Sequence, residues 1–445
     1  MRRAVGRLPG LVFAGILLTS IGAKAQSTPG FGRVSLFGYW SRYESGDPLG
    51  SSFTTGDVVA SVTLRSDVPE RNGFEYAVDM RGSSTSVTGA DQIQRFYLYD
   101  AYVGTRTYGG VVGLRLGQMW LNDLGGLGSL GGGLLEIHPA VESKLGHPRI
   151  GLFGGLEPEN FEAGYVSGVR KYGGYVALDG EGARRHVLGY VTIRNGSLTE
   201  RSVITMTNFI PVGQKFFLYQ ALEYDLVGPA GLDEGKGLNY FFATARYQPI
   251  PLIEFQGTYH HGRSIDTRTI TDDERNGRPV DTRTLQGFLF EAASGRITLQ
   301  PVRGLRIYGG YERDRNNEND VPSKRLFGGL YYSNLFKSGF DLSVAGFHTD
   351  SPNGATGTYN SFYASLGKSL GSTVYLTAEY ASFLSILQLT PVGGVQVENL
   401  PRSRRYSLSG LIRLTRSLSL LVSGERTWQD PSVETRATAG LTYRF

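Results

Sequence analysis

The chain has 445 residues, among them 62 Gly, 26 Tyr and 23 Phe, and it contains no cysteine. Abundant glycine and aromatic residues are typical of strands joined by tight turns, and the lack of cysteine excludes a disulfide-stapled scaffold. The formal net charge is +5, but four of these positive charges lie in the first 25 residues, which leaves +1 for the rest. This charge predicts neither a nucleic-acid partner nor an anionic-lipid partner.

Residues 1–25 have the pattern of a cleaved secretory signal peptide. Three arginines precede the apolar run 11–21, and Ala23 and Ala25 form a small-residue cleavage site. The apolar run is too short to span a membrane as a helix. We therefore predict that the chain is exported and that the mature protein begins at residue 26.

Beyond residue 25, apolar and polar residues alternate in short segments separated by turn residues, which predicts β-strands. No apolar run approaches the roughly 20 residues of a spanning helix, and no linker divides the chain. We predict one all-β domain, residues 26–445, with about 22 strands. The predicted strands are 32–43, 56–66, 73–83, 94–107, 111–121, 148–156, 160–168, 171–179, 185–194, 199–210, 214–227, 237–248, 252–263, 284–300, 304–315, 323–335, 339–349, 358–369, 372–385, 403–415, 417–428 and 434–445.

Three of the predicted strands, 148–156, 160–168 and 171–179, are short compared with the roughly 9–11 residues that a membrane-spanning strand needs. If one hairpin in this region folds inward, the number of wall strands falls to 20. If two hairpins fold inward, it falls to 18. The sequence leaves these counts open.

The last predicted strand has one apolar and one polar face. Leu441, Tyr443 and Phe445 share the apolar face, and Arg444 lies on the other, because side chains alternate across a strand. This ending resembles that of Gram-negative outer-membrane β-barrels, in which the terminal aromatic residue and the alternating apolar residues form the assembly signal. An edge strand of a soluble protein that ends on an aromatic residue by chance is the alternative.

The resemblance implies a single transmembrane antiparallel β-barrel, similar to porins, without a plug domain. Its expected partners are the lipid bilayer of the outer membrane, the barrel assembly machinery and small polar solutes. An even number of strands also places both chain ends on the periplasmic side. The oligomeric state is left open.

A barrel in a membrane turns its apolar face to lipid and holds its charged residues inside. Several predicted strands place their charged residues on the same face as Ser, Thr and Gly. Two interpretations stay open: these charges select solutes, or they pair with each other and stiffen the wall. The predicted pore-lining residues are Arg306, Glu312, Arg325, Asp341, Glu379, Arg405, Arg413, Glu425 and Arg436.

Segment 122–147 follows the fifth predicted strand and is therefore the third outward loop. In porins, which the order of parts resembles, this loop folds into the lumen and narrows it. The segment is rich in glycine, which allows a chain to fold back tightly. A flexible external loop is the alternative. The predicted constriction residues are Glu136, His138, Glu142, Lys144 and His147.

Other motifs are weak. Gly126, Gly128 and Gly131 have the spacing of a dinucleotide-binding loop, but no helix is predicted after them, so no cofactor is expected. The sequence contains no nucleophile elbow or comparable catalytic cluster, and we predict that the protein is not an enzyme. A weak calcium motif lacks the required glycine and is flanked by arginines. Its residues are Asp314, Asn316, Glu318 and Asp320.

These observations favour an outer-membrane channel for passive diffusion of small polar solutes or ions. The alternative is an outer-membrane adhesin or structural anchor that presents binding loops. Two long outward loops, 264–283 with Asp272, Asp273 and Glu274, and 386–402, would form its binding surface.

Overall fold

The computed structural model describes residues 30–46, 50–69, 72–141, 143, 146–159, 163–233, 235–318, 321–351, 357–389, 397–399 and 402–445. The predicted signal peptide, residues 1–25, lies outside these ranges and stays a prediction.

Antiparallel strands form most of the described chain. The strands are β1 Gly30–Glu44, β2 Phe53–Ser66, β3 Gly73–Val87, β4 Ile93–Thr107, β5 Val112–Trp120, β6 Ser129–Ile137, β7 His147–Pro158, β8 Tyr165–Asp179, β9 Arg185–Asn195, β10 Leu198–Val212, β11 Phe216–Val227, β12 Gly237–Ile250, β13 Ile253–Ser264, β14 Phe288–Val302, β15 Leu305–Asn316, β16 Ser323–Tyr332, β17 Phe340–Asp350, β18 Gly357–Leu370, β19 Val374–Leu389, β20 Val397–Asn399, β21 Arg402–Arg413, β22 Leu418–Gln429 and β23 Ser432–Arg444. The helices are α1 Thr267–Arg275 and α2 Thr282–Gln286, and the 3₁₀ turns are Tyr108–Gly110, Asn122–Leu127, Glu181–Ala183, Pro229–Gly231 and Leu335–Lys337.

The strands close into one barrel. Each wall strand pairs antiparallel with its neighbours in the chain, and β23 pairs with β1. The short β20 extends only the end of β19, which otherwise pairs directly with β21. The wall therefore has 22 strands, and the predicted antiparallel barrel of about 22 strands is confirmed. Within the described ranges there is no separate plug domain, and no helix is long and apolar enough to cross a membrane.

The β1–β23 pairing forms the closing seam. The Gly32 N–H donates to the Phe445 carbonyl oxygen at 2.9 Å, and the Phe445 N–H donates back to the Gly32 oxygen at 3.0 Å. A Cβ atom on Gly32 would lie 2.3 Å from Cε2 of the Phe445 ring, so only glycine admits this ring. We call the end of the barrel that holds Gly30 and Phe445 the terminal end, and the opposite end the far end.

One wall strand was not predicted. Segment 122–147, expected as one loop, contains β6, which pairs with both β5 and β7. The run Leu130-Gly-Gly-Gly-Leu134 hides this strand, because its inward residues are apolar and no polar face alternates with them. The glycines allow close backbone approach, since a Cβ on Gly132 would lie 2.2 Å from the Gly154 oxygen.

A second wrong prediction offsets the first in the number of strands. Segments 160–168 and 171–179 were predicted as two strands, but β8 is continuous from Tyr165 to Asp179. Gly168 has a φ of +79° inside β8, and the register with β7 shifts between Leu156 and Pro158. A glycine at such an irregularity reads as a turn in the sequence although the strand continues. The predicted count is correct although two of its members are wrong.

The register gives the wall an apolar outer face and two different inner regions. Large apolar side chains stand exposed on the outer face, such as Leu326 at 64% and Leu408 at 62%. The inner face of β5–β10, which we call the packed sector, carries a buried apolar cluster that includes Leu134, Val191 and Val203. The inner face of β14–β19 and β21–β23, which we call the polar sector, carries mainly polar side chains.

Candidate functional site

The turn Asn122–Leu127 folds into the barrel and packs on the inner wall. Leu121, Leu124 and Leu127 are all buried in the apolar cluster of the packed sector. A Cβ on Gly189 of β9 would lie 2.7 Å from Leu124 Cδ2. The leucine side chain therefore occupies space that is free only because residue 189 is a glycine. The turn therefore narrows the lumen from one side.

A buried network of charges fastens this turn. The Arg149 guanidinium donates to Asp123 of the turn at 2.7 Å and to Glu136 of β6 at 2.7 Å. The Tyr175 hydroxyl donates to Glu136 at 2.6 Å, and Arg185 also donates to Asp123. Arg185 still reaches Asp123, and Arg115 still reaches Glu136, when Arg149 is removed. The network would nevertheless hold a buried negative charge without its counterion, at a cost of about 3–5 kcal/mol.

Helix α1 covers the packed sector at the far end. Asp266 caps the helix by accepting from the Thr269 N–H at 3.1 Å. Ile270 and Thr271 of the helix are fully buried. The loop 264–283, predicted as an outward loop, is therefore partly a helix that packs against β9 and β10.

Polar contacts hold α1 to the inner wall. The Arg268 Nε donates to Glu200 at 2.6 Å and its Nη2 to Glu157 at 2.9 Å. Burial lowers the pKa of the Arg268 guanidinium, but the hydrogen bonds to Glu200 and Glu157 and the charges of these two carboxylates raise it by more. The net effect is a raised pKa, so the guanidinium stays charged. Asn195 of β9 donates to Asp272 of the helix at 3.0 Å.

A cavity of about 730 Å³ lies between the inward turn, the start of the α1 loop and the wall strands β10–β14. It continues into a second cavity of about 410 Å³, with which it shares Tyr240, His260 and Phe290. The His260 ring packs against Tyr240 and Phe290, each with a centroid distance of 5.6 Å. Arg201 and Glu223 both line the larger cavity and form an ion pair at 3.3 Å.

The nine predicted pore-lining residues all fall on the inner face of the polar sector by register. Most of them are paired. Arg325 lies 3.0 Å from Glu312, and Glu425 lies 3.3 Å from Arg436 and 3.9 Å from Arg405.

The other four pore-lining residues differ in their contacts. Asp341 accepts from the Asn334 N–H at 2.9 Å. Glu379 accepts from the hydroxyl groups of Tyr363 at 3.1 Å and Ser407 at 3.2 Å. Arg306 and Arg413 make no ion pair within the part of the chain that the structure describes.

The predicted constriction residues do not form one loop. Glu136 lies on β6 inside the charge network, His138 directly follows β6, and His147 begins β7. Glu142 and Lys144 lie outside the described residues. The inward segment is instead Asn122–Leu127, and the sequence held a signal for it: Leu121, Leu124 and Leu127 recur every three residues, the period of a 3₁₀ turn.

The weak calcium motif does not gather into a site among the described residues. Asp314 and Asn316 lie on β15, where the Asn316 side chain accepts from the Glu318 N–H at 3.0 Å. Asp320 lies outside the described ranges. Within those ranges no group of three or more acidic or histidine side chains is placed to hold a metal.

No protein-family model and no curated protein matches the chain. Among solved structures, a mutant of the ferric enterobactin receptor PfeA from Pseudomonas aeruginosa is 10% identical with a TM-score of 0.55, over 94% of this chain and 81% of that one. OpdQ from Pseudomonas aeruginosa is 10% identical with a TM-score of 0.43, over 94% and 99% of the two chains. The translocation pore of the P pilus usher PapC is 10% identical with a TM-score of 0.46, over 92% and 99%.

At this identity the likeness shows the fold alone. The predicted resemblance to porin-like outer-membrane β-barrels is confirmed at the level of the barrel fold.

Proposed function

We propose that the protein is an outer-membrane channel for passive diffusion of small polar solutes or ions, narrowed by the turn Asn122–Leu127 and by α1. The observation that carries this proposal is the contrast inside the barrel. Inward segments cover the packed sector, whereas polar side chains line the polar sector opposite. A polar wall facing an uncovered lumen holds water.

The strand number supports internal narrowing. Barrels of 16–18 strands already enclose an aqueous channel, and a wall of 22 strands encloses a wider one. A bare channel of that width would pass solutes with little discrimination. The inward turn and helix occupy part of the lumen, which favours small solutes.

The paired charges of the polar sector argue for weak charge selectivity. Cations and anions alternate there within ion-pair distance, as in the cluster of Arg405, Glu425 and Arg436. Their fields largely cancel a few ångströms from the wall. We therefore expect a channel that passes neutral polar solutes and ions of both signs.

Conductance tests the proposal directly. The purified full chain in planar lipid bilayers should produce discrete conductance steps, and liposomes that contain it should swell in sugars below a size limit. A folded barrel that produces neither steps nor swelling would contradict a channel function.

The alternative role as an adhesin or structural anchor finds less support. The loop that carries Asp272, Asp273 and Glu274 is drawn inward by buried Ile270 and by Arg268. The other candidate loop, 386–402, is described only in part. Deleting 268–286 would test this alternative: an adhesin should lose cell binding, whereas a channel should gain conductance.

A further inference from the structure

The outer face of the barrel differs between its two ends. Near the terminal end, outward positions are apolar on strand after strand, as at Ile307, Leu376 and Leu441. Near the far end, outward positions carry arginines, including Arg402 and Arg404 on β21. The near-neutral net charge of residues 26–445 does not reveal this difference between the two ends.

Two of the outward arginines interleave with two aromatic rings. Arg404 on β21 lies opposite Trp428 on β22, and Tyr406 lies opposite Arg426. The Tyr406 and Trp428 rings stand edge to face with centroids 5.3 Å apart, and the Arg426 guanidinium lies 5.0 Å from the Trp428 ring centre. We call these four residues the rim patch.

A row of aromatic side chains fixes the height of the rim patch in the membrane. On the outer face, Tyr380 of β19 lies 4.9 Å from Tyr406 and 6.2 Å from Phe362 of β18, measured between ring centroids. Tyrosine and tryptophan gather at the boundary between hydrocarbon and headgroups. Arg404 lies two residues beyond Tyr406 toward the far end, which is the level of the lipid headgroups.

The rim-patch arginines have no acidic partner among the side chains that the structure describes. Both arginine side chains are exposed, and no carboxylate of those side chains lies within ion-pair distance of Arg404 or Arg426. The neighbouring Arg405 points the other way and reaches Glu425 at 3.9 Å. A guanidinium beside hydrocarbon needs a counterion, and phosphate matches its donors in pairs.

We propose that the rim patch binds the phosphate of anionic lipid headgroups in the leaflet at the far end of the barrel. Arg404 and Arg426 provide the donors, and Tyr406 and Trp428 pack against the upper part of the acyl chains. A membrane-surface arginine contributes about a fivefold gain in affinity for anionic lipid, so the pair contributes about thirtyfold. This binding is independent of whether the lumen conducts.

The chain supplies a matched control, because Arg404 and Arg405 are adjacent but face opposite sides of the wall. The full chain in detergent is titrated with phosphatidylglycerol, and lipid adducts are counted by native mass spectrometry. We expect the variant R404S/R426S to bind phosphatidylglycerol about thirtyfold more weakly than the wild type. The variant R405S/R413S, which loses the same charge inside, should bind it as the wild type does.

Phosphatidylcholine and inorganic phosphate complete the experiment. Phosphatidylcholine should bind much more weakly than phosphatidylglycerol, and millimolar inorganic phosphate should not displace the lipid. Equal binding by the two double variants, or displacement by phosphate alone, would overturn the proposal. If R404S/R426S does not fold, Arg404→Gln is compared with Arg405→Gln, and an equal lipid affinity of these two single variants would overturn it as well.

Discussion

The packed sector and the polar sector belong to one wall but use their inner faces in opposite ways. In the packed sector, Leu134 and Val191 bury a turn that folds into the lumen, and Arg149 is sealed among carboxylates. In the polar sector, comparable charges remain in contact with water, as for Arg405, whose side chain is 36% exposed. The comparison teaches that the residues of the inner face, rather than the strand pairing, decide where this barrel is filled and where it is open.

The largest expected effect comes from Arg149 in the packed sector. Arg149→Ala leaves Asp123 and Glu136 buried without their main partner, which should cost about 3–5 kcal/mol. The turn should leave the wall, so that conductance rises while stability falls. Unfolding of the detergent-solubilised barrel, followed by its heat-dependent migration on gels, measures the loss.

The control for Arg149 is Arg405→Ala in the polar sector. Its ion pair with Glu425 is long at 3.9 Å and partly exposed, so the loss should stay below about 1 kcal/mol. Equal losses in the two variants would remove the distinction between the sectors.

Truncation of one inward leucine in each sector tests whether the two sectors differ in packing. Leu124→Ala removes a side chain that is only 1% exposed, and we expect a loss of about 3 kcal/mol. Leu411→Ala removes an inward leucine of the polar sector that is 47% exposed, and its effect should be within about 0.5 kcal/mol. Chemical denaturation of both variants in the same detergent tests the difference, and a larger loss at Leu411 would contradict it.

The next largest effect on stability and conductance is expected at helix α1. Arg268→Ala removes the bonds to Glu200 and Glu157, worth about 2 kcal/mol, and should loosen the helix from the packed sector. Single-channel conductance should increase or fluctuate between two levels. Arg278→Ala changes an exposed arginine of the same loop that pairs with the neighbouring Asp273 at 3.3 Å, and it should leave conductance unchanged.

The smallest expected effect concerns the unpaired inner cations. Arg306→Ser or Arg413→Ser should change stability by less than about 0.5 kcal/mol, because exposed polar substitutions are well tolerated. Each should shift ion selectivity slightly toward cations, measured as a reversal potential in a salt gradient. A shift toward anions would show that these side chains do not face the conducting path.

The same comparison explains what the sequence could predict. Strands of the polar sector, such as β21 and β22, alternate between lipid-facing leucine and inward serine or arginine, and they were predicted within a few residues of their observed bounds. In the packed sector apolar and glycine residues occupy much of the inner face as well as the outer face. The alternation of β6 is therefore lost in the sequence, and Gly168 reads as a break in β8.

Helix α1 was missed for a different reason. It is nine residues long and rests on the single buried apolar residue Ile270, which is too little for a helical period to be visible. The assembly role of Leu441, Tyr443 and Phe445 remains a prediction. Phe445→Ser should reduce the amount of folded barrel in cells far more than Arg444→Ser, which heat-dependent migration on gels would show.

The closing seam has a consequence for how the chain folds. The other wall pairings join strands that follow each other in sequence and can form progressively as local hairpins. The seam instead joins Gly32 to Phe445 across nearly the whole chain, so the entropy of bringing the two ends together must be met before it forms. We therefore expect the contact between the Phe445 ring and Gly32 to form last in folding. A circularly permuted chain that starts at Gly371 would keep the same wall and make β18–β19 its final event instead.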